Sequence, residues 1–371
     1  MRGRPLVSVV IPHFARPGLL RDAVASVRAS TGQSFEVIIV DDGSSAEDWR
    51  AAQDLADDQV KVLQRQGGTK GPSRCRNLGL GMAQGEFVLF LDSDDLMAPW
   101  CLDERIKQAR QSPEADLWVF PVLLFKEAPG DVDLLWNVMA DGRDPAERFA
   151  RSDPPWHTSS PLWRREALLR LDGFNDALIY GDDSDLHLRA LIDGLAPRLY
   201  PDALPDAFVR RSEVARITNS LTPALVESRR VRLREGARCL ISRSGTDTLQ
   251  ALWEGQYFSE AEFLLFNHDS SRAAVAAVLR DWETVFAPSS MRRATVRAYF
   301  AVGLACRHHA YLVLRVARRL AMRVLPGAYF PSDGKYHSTH AGVEIMTALR
   351  DRLGIVAARA VRPASGNGAP A

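Results

Sequence analysis

Apolar and polar positions follow two alternating rhythms over the first hundred residues. Leu6–Ile11 is a short apolar run closed by Pro12, and Val37–Val40, Val60–Leu63 and Phe87–Leu91 are three more. Such runs, bounded by polar residues, are the pattern of strands buried on both faces of a parallel sheet. Between the first two, Leu19, Leu20, Ala23, Val24 and Val27 recur at helical spacing after Pro17-Gly18. Asp41-Asp42-Gly43-Ser44-Ser45 reads as a turn with a serine or aspartate cap for a helix through Trp49 and Leu55. Gly67–Pro72 reads as a loop, with Ser73 capping a helix across Asn77 to Ala83. The β-α-β-α-β order predicts an α/β fold with a doubly wound, mostly parallel, Rossmann-like sheet.

Farther along, Leu117–Phe125 is another strand-like run, followed by a polar loop through Pro155. Arg164–Leu171 reads as a short helix ended by Gly173-Phe174, and Ser184–Ile192 as a second helix stopped by Gly194 and Pro197. From about Glu227 the pattern is mainly helical and rich in Ala, Arg and Leu. The expected division is an α/β domain over 1–220, a C-terminal mainly α-helical extension over 221–362, and a Pro/Gly/Ala-rich, disordered tail over 363–371.

A chain of 371 residues has room for two cores, and 46% hydrophobic with 25% charged residues is ordinary for a soluble protein. The net charge of +1 gives no reason to expect a nucleic-acid partner. Cys75, Cys101, Cys239 and Cys306 form no CxxC pair, which argues against structural zinc or a disulfide framework and for a cytoplasmic protein. No signal-peptide pattern or 18-residue uncharged apolar stretch is expected to act as a leader or membrane span.

The chemistry lies in three acidic clusters: Asp41-Asp42, Asp92/Asp94/Asp95, and Asp182-Asp183 with Asp185. A parallel sheet brings the first two to one edge, where open α/β sheets bind ligands. Carboxylates crowded at a strand end repel one another unless a cation sits between them. Mg²⁺ or Mn²⁺ commonly shares such carboxylates with substrate phosphates. The third cluster opens a helix, where a carboxylate is favoured by the dipole and could serve as a base. Taken alone, the first and third clusters read as turn and helix caps; three carboxylates after one buried strand exceed any capping need.

In this order, Val7-Ser8-Val9-Val10-Ile11-Pro12, Val40-Asp41-Asp42-Gly43-Ser44-Ser45, Arg76-Asn77-Leu78-Gly79, Gly85-Glu86-Phe87, Phe90-Leu91-Asp92-Ser93-Asp94-Asp95, Gly173-Phe174-Asn175-Asp176 and Asp182–Arg189 resemble a family 2 glycosyltransferase of the GT-A fold. The resemblance covers roughly residues 5–215. It implies transfer of a sugar from a nucleotide diphosphosugar, a UDP-sugar foremost, to a hydroxyl of a glycan or lipid-linked acceptor, with inversion. Asp183 is then the implied general base. Pro12, His13, Asp41, Asp42, Arg76, Asp92 and Asp94 are implied at the donor, with Asp41 bonding the base. Asp94 or Asp95 would hold Mn²⁺ or Mg²⁺, and Trp156, His157 and Asp182 would lie on the acceptor side.

The chain departs from the family pattern in places. His13-Phe14-Ala15-Arg16 stands where Thr-Tyr-Asn-Arg is frequent, and Asp182-Asp183 replaces Glu-Asp. Arg210-Arg211-Ser212-Glu213 occupies the region where many members place a histidine for the metal or diphosphate; an arginine there could contact the diphosphate instead. Lys70 and Arg74 could reach phosphate, although surface solvation explains Lys70 equally well. His337-Ser338-Thr339-His340 has only superficially metal-like spacing, without an acidic partner, and reads as an exposed tail. No Asp or Glu falls between Glu283 and Asp333, while Arg292, Arg293, Arg297, Arg307, Arg315, Arg318, Arg319 and Arg323 do. Residues 291–325 thus offer either a bundle with solvated arginines or a peripheral membrane contact at the inner face. Rival readings are a nucleotidyltransferase, a receiver-like Mg²⁺ domain, and a nucleotide- or glycan-binding protein without catalysis.

Overall fold

The structure, a computed structural model, describes residues 4–68, 70–211, 221–267, 271–306, 311–330 and 338–355. Thr69, Ser212, Glu213, Arg307, His337, the boundary near 220 and the tail 363–371 lie outside the described residues.

The chain runs β1 (Val7–His13), α1 (Pro17–Arg28), β2 (Phe35–Asp41), α2 (Ala46–Gln53), β3 (Val60–Gln64), α3 (Pro72–Met82), β4 (Phe87–Phe90), β5 (Leu96–Met97) and α4 (Cys101–Gln111). There follow β6 (Leu117–Val119), β7 (Val122–Phe125), β8 (Leu134–Leu135), α5 (Pro145–Ala150), β9 (Pro161–Arg164), α6 (Arg165–Arg170), α7 (Asp182–Ile192), β10 (Pro197–Leu199) and β11 (Ala207–Arg210). The C-terminal part holds α8 (Pro223–Ile241), α9 (Asp247–Asn267), α10 (Ser271–Phe286), α11 (Ser290–Cys306), α12 (Tyr311–Ala321), β12 (Thr339–His340) and α13 (Val343–Arg352).

Seven strands form the main sheet in the order β10-β6-β9-β4-β1-β2-β3, parallel except for β9. This is the doubly wound, mostly parallel architecture that the sequence predicts. Its central strands are mainly apolar because each face meets a different core. Val7, Val9 and Ile11 of β1 join Phe35, Val37, Ile39, Phe87 and Leu89 against α1 and α4. Val10, Ile38, Val40, Val88 and Phe90 face the other way, into the core that continues through the C-terminal helices. A period of two along the strands therefore sorts their side chains between two cores.

The single expected strand 117–125 is two strands in two sheets. The chain turns at Phe120-Pro121: β6 stays in the main sheet, while β7 enters a five-stranded sheet of order β12-β8-β7-β11-β5. Proline supplies no ladder N–H, and the run breaks there. Ser73 is not the cap of α3. Gly71 holds that position, and the Ser73 hydroxyl donates to Leu178 O at 2.6 Å. Nor is His340 a tail residue. Thr339-His340 pairs with β8, and His340 Nδ1 lies 3.1 Å from Asp133. Met346 and Leu349 of α13 then pack with Leu123, Phe125 and Phe208 of the second sheet.

The helical region is bound closely to the sheet. Helix α9 packs on α5, α8 and α10, and α8 also packs on α7. No described helix is long and apolar enough to cross a membrane.

Candidate functional site

Parallel pairing of β2 and β4 with β1 brings their carboxyl ends to one edge, and Asp41 sits beside His13 in register. Asp41 is fully buried and its acceptor positions are in use. Oδ2 accepts from Gly43 N and Ser44 N, each at 3.0 Å, and from Gln64 Nε2 at 3.2 Å; Oδ1 accepts from the Ser44 hydroxyl. Asp42 accepts from Arg65 Nε at 2.6 Å and Gly71 N at 2.8 Å. The pair thus builds the turn between β2 and α2, and a nucleobase would have to compete with these bonds. His13 is buried beside it, and neither ring nitrogen has a hydrogen-bond partner among the described residues. Burial pushes the His13 ring below the ordinary histidine value, against Asp41 and Asp48, so the ring is neutral near pH 7.

After β4 the chain makes a tight turn in which Asp95 N donates to Asp92 O at 3.0 Å. That turn brings Asp95 and Asp92 together, and ligand atoms of Asp92, Asp95 and His157 all lie within 4.8 Å of one another. Asp94 diverges from this group, its carboxylate 3.4 Å from Arg16 Nη1. Of the two residues expected at the metal, Asp94 or Asp95, it is Asp95 that groups with Asp92 and His157. Two carboxylates and an imidazole suit a divalent cation with oxygen and nitrogen preference, Mn²⁺ more than Mg²⁺. His157 is positioned for this by a 2.8 Å hydrogen bond between its Nδ1 and the Ser159 hydroxyl. Arg105, fully buried, donates to Ser159 O at 2.9 Å while pairing with Asp206, and so fixes that loop. Arg210 closes the far side. Its backbone N–H donates to Asp95 Oδ1 at 2.9 Å and its Nε to Asp94 O at 3.0 Å.

Arg76 of α3 is the hinge between this group and the third acidic cluster. Its two terminal nitrogens each lie 2.5 Å from a carboxylate, Asp92 on one side and Asp182 on the other. Burial alone would lower its basicity, but the two carboxylates outweigh that and keep it a guanidinium. Only 4% exposed, Arg76 acts here as a brace between two acidic loops. Asn77 next to it holds the Gly173-Phe174 turn, donating to Phe174 O at 2.8 Å and accepting from Phe174 N at 2.8 Å. Gly173 has φ +63°, and a Cβ there would meet Asn77 Oδ1 at 2.4 Å.

Asp183 stands half-buried in the first turn of α7. Burial, then the neighbouring Asp182 charge, push its carboxyl up to about 6, although Arg76 and the Ser184 N–H pull the other way. Such a carboxylate is ionised at neutral pH yet basic enough to take a proton. The turn before it is secured by α8. Ile179 N donates to the Ser228 hydroxyl at 2.9 Å, and Arg229 lies 4.4 Å over the Tyr180 ring. Gly181 has φ +64°, and a Cβ there would meet Arg232 Cδ at 2.8 Å. No sequence pattern shows that α8 supports this loop, because the contact joins residues about fifty positions apart.

Trp156 does not sit where an acceptor could stack. It is 1% exposed and packs edge-on against Phe149 and His187, so its acceptor-side assignment is corrected. His187 lies in the same cluster, stacked on Trp163, and burial pushes its ring down to about 3. Lys70 lies 4.0 Å over the Phe14 ring and donates to Gly43 O, and Arg74 donates to Asp176 O.

Residues 8–133 match the family model described as Glycosyl transferase family 2. The GalNAc(5)-diNAcBac-PP-undecaprenol beta-1,3-glucosyltransferase of Campylobacter jejuni is 36% identical over 109 residues, 29% of this chain and 35% of that protein. Succinoglycan biosynthesis protein ExoW of Rhizobium meliloti is 39% identical over 102 residues, 25% of this chain and 30% of its own. The chain thus spans only about a third of the length of these curated relatives. In fold it is similar to S. aureus TarS 1-349, crystallised with UDP-GlcNAc, with a TM-score of 0.62, 18% identity, and coverage of 84% of this chain and 91% of that one. That likeness spans the helical region as well as the GT-A type sheet. Residues 8–133 thus resemble glycosyl transferase family 2, set in a fold similar to that of TarS.

Proposed function

We propose that the chain transfers a sugar from a nucleotide diphosphosugar to an acceptor hydroxyl with inversion, using Asp183 as general base. The observation that carries this reading is the convergence of Asp92, Asp95 and His157 on one side of Arg76 with Asp182 and Asp183 on the other. Asp183 takes the proton of the acceptor hydroxyl, whose oxygen attacks the anomeric carbon. The bond to the diphosphate oxygen breaks in the same displacement, so one base suffices and no covalent nucleophile is needed. Asp92, Asp95 and His157 would hold a divalent cation, which when bound neutralises charge on the departing diphosphate. Arg76 keeps Asp92 and Asp182 in place, and Arg210 keeps Asp95 turned toward His157.

Pro12 and His13 border the proposed nucleotide site at the end of β1, with Asp41 and Asp42 shaping its floor. A UDP-sugar is the favoured donor, supported by the UDP-GlcNAc bound to TarS. A lipid-linked glycan is the favoured acceptor, supported by the undecaprenol-linked substrate in the name of the Campylobacter protein. The catalytic unit is residues 1–220, followed by the helical extension over 221–362. Its four free thiols fit the cytoplasm.

A panel of nucleotide diphosphosugars with Mn²⁺, assayed for nucleotide diphosphate release, tests the reading. Release from at least one donor is expected, together with an anomerically inverted product by proton NMR. Retention of configuration, or release of pyrophosphate from a nucleoside triphosphate instead, would overturn it.

A further inference from the structure

We propose that helix α12 and the turn after it form a face that docks on the surface of an anionic lipid bilayer. Six large apolar side chains stand open there: Leu312 is 72% exposed, Val313 46%, Val316 49%, Leu320 56%, Met322 52% and Val324 46%. Leu312, Val313, Val316 and Leu320 share one side of the helix, all lying within an arc of about 100° at 3.6 residues per turn. The opposite side is the one that packs: Leu314, Ala321 and Leu325 are buried. Arg318 also turns inward, 2.8 Å from Glu262. The exposed apolar stripe is therefore additional to the surface that attaches α12 to the protein. Together its side chains leave open an apolar patch on the order of 500 Å², the upper range for a soluble monomer.

The charges beside the stripe identify its partner. Exposed Arg315, Arg319 and Arg323 recur at four-residue steps along its border. No acidic residue occurs in the sequence between Glu283 and Asp333. A two-fold contact with a second copy would bring these like-charged rows together. Anionic headgroups complement them, while the aliphatic side chains enter the acyl boundary and the arginine stems reach back to the phosphates. Docking stands independently of the transferase reading. If that reading holds, the chain of packed helices from α12 through α11 and α9 to α8 ties this face to the Asp183 loop.

Flotation of the full chain with two vesicle types tests the proposal: phosphatidylcholine alone, and phosphatidylcholine mixed one-to-one with phosphatidylglycerol. The native chain should float with the mixed vesicles and not with the neutral ones, and added salt should weaken its binding. Leu312→Gln with Leu320→Gln, and separately Arg319→Gln with Arg323→Gln, should each weaken binding by about tenfold or more. All four positions are exposed, so thermal melting and nucleotide diphosphate release should match the native chain. Failure of the native chain to float, or variants that float as it does, would overturn the proposal. So would light scattering that shows a dimer split by Leu312→Gln with Leu320→Gln while vesicle binding is absent, because the face would then belong to a second copy.

Discussion

The two ends of the central sheet treat a buried carboxylate in opposite ways. At the amino end Glu36 receives Ser8 Oγ, Gln84 N and Lys61 Nζ, each at 2.7 Å. Burial alone would raise its carboxyl, but the hydrogen bonds, led by that from Lys61, outweigh it and hold Glu36 below the ordinary glutamate range. At the carboxyl end Asp183 faces burial and the like charge of Asp182, and its carboxyl is driven up instead. One acid is supplied with donors; the other stands beside another acid. A carboxylate fitted for structure has its lone pairs filled, whereas one fitted for proton transfer is kept short of partners.

The sharpest way to break the comparison is to remove the Asp183 charge without changing its shape. Asp183→Asn should cost transfer about a hundredfold to ten-thousandfold, read as product formed at saturating donor. Next comes Arg76→Met, which leaves the buried Asp182 and the part-buried Asp92 without their shared cation. Urea denaturation should show a loss of about 3–5 kcal/mol. Glu36→Gln should cost less, about 1–3 kcal/mol, with turnover per folded molecule unchanged. Loss of turnover there would show that the amino end is not purely structural.

Protonation sharpens the contrast further. The Asp183 pKa is higher folded than unfolded, so the folded state binds its proton more tightly. Stability from this group is greatest below the ordinary aspartate value of 3.8 and declines as pH rises through about 6. Asp183→Asn should therefore melt roughly one to a few degrees higher than the native chain at pH 8, the gain vanishing in acid. Glu36 works in reverse: its contribution is present above the ordinary glutamate value of 4.5 and is lost as pH falls through its lowered pKa. Glu36→Gln should accordingly lose most relative to the native chain at neutral pH and least in acid. Transfer itself should fall below about pH 6, as Asp183 becomes protonated.

The sheet and its carboxyl edge were legible because they rest on local pattern. Apolar runs declared β1 to β4, and the aspartates after β2 and β4 had to meet once those strands paired in parallel. What the pattern hid depends on long-range contact or on one residue's geometry. Pro121 splits an apolar run between two sheets, and β9 is only the four residues Pro161–Arg164. The grouping of Asp92 with His157, across more than sixty residues, comes from the Asp92–Asp95 turn and the Arg105 brace. The burial of Trp156 is not legible either, because an aromatic in a polar loop carries no sign of it. Its neighbours Phe149 and His187 come from other elements.

The central claim is that Asp183 performs the proton transfer while Asp92, Asp95 and His157 serve the donor. The most direct measurement compares donor affinity by calorimetry with transfer rate in Asp183→Asn, using the sugar nucleotide and Mn²⁺ that the native chain accepts. The account predicts unchanged donor affinity with transfer nearly abolished. Persistent transfer with lost donor affinity would place Asp183 at the donor and contradict it.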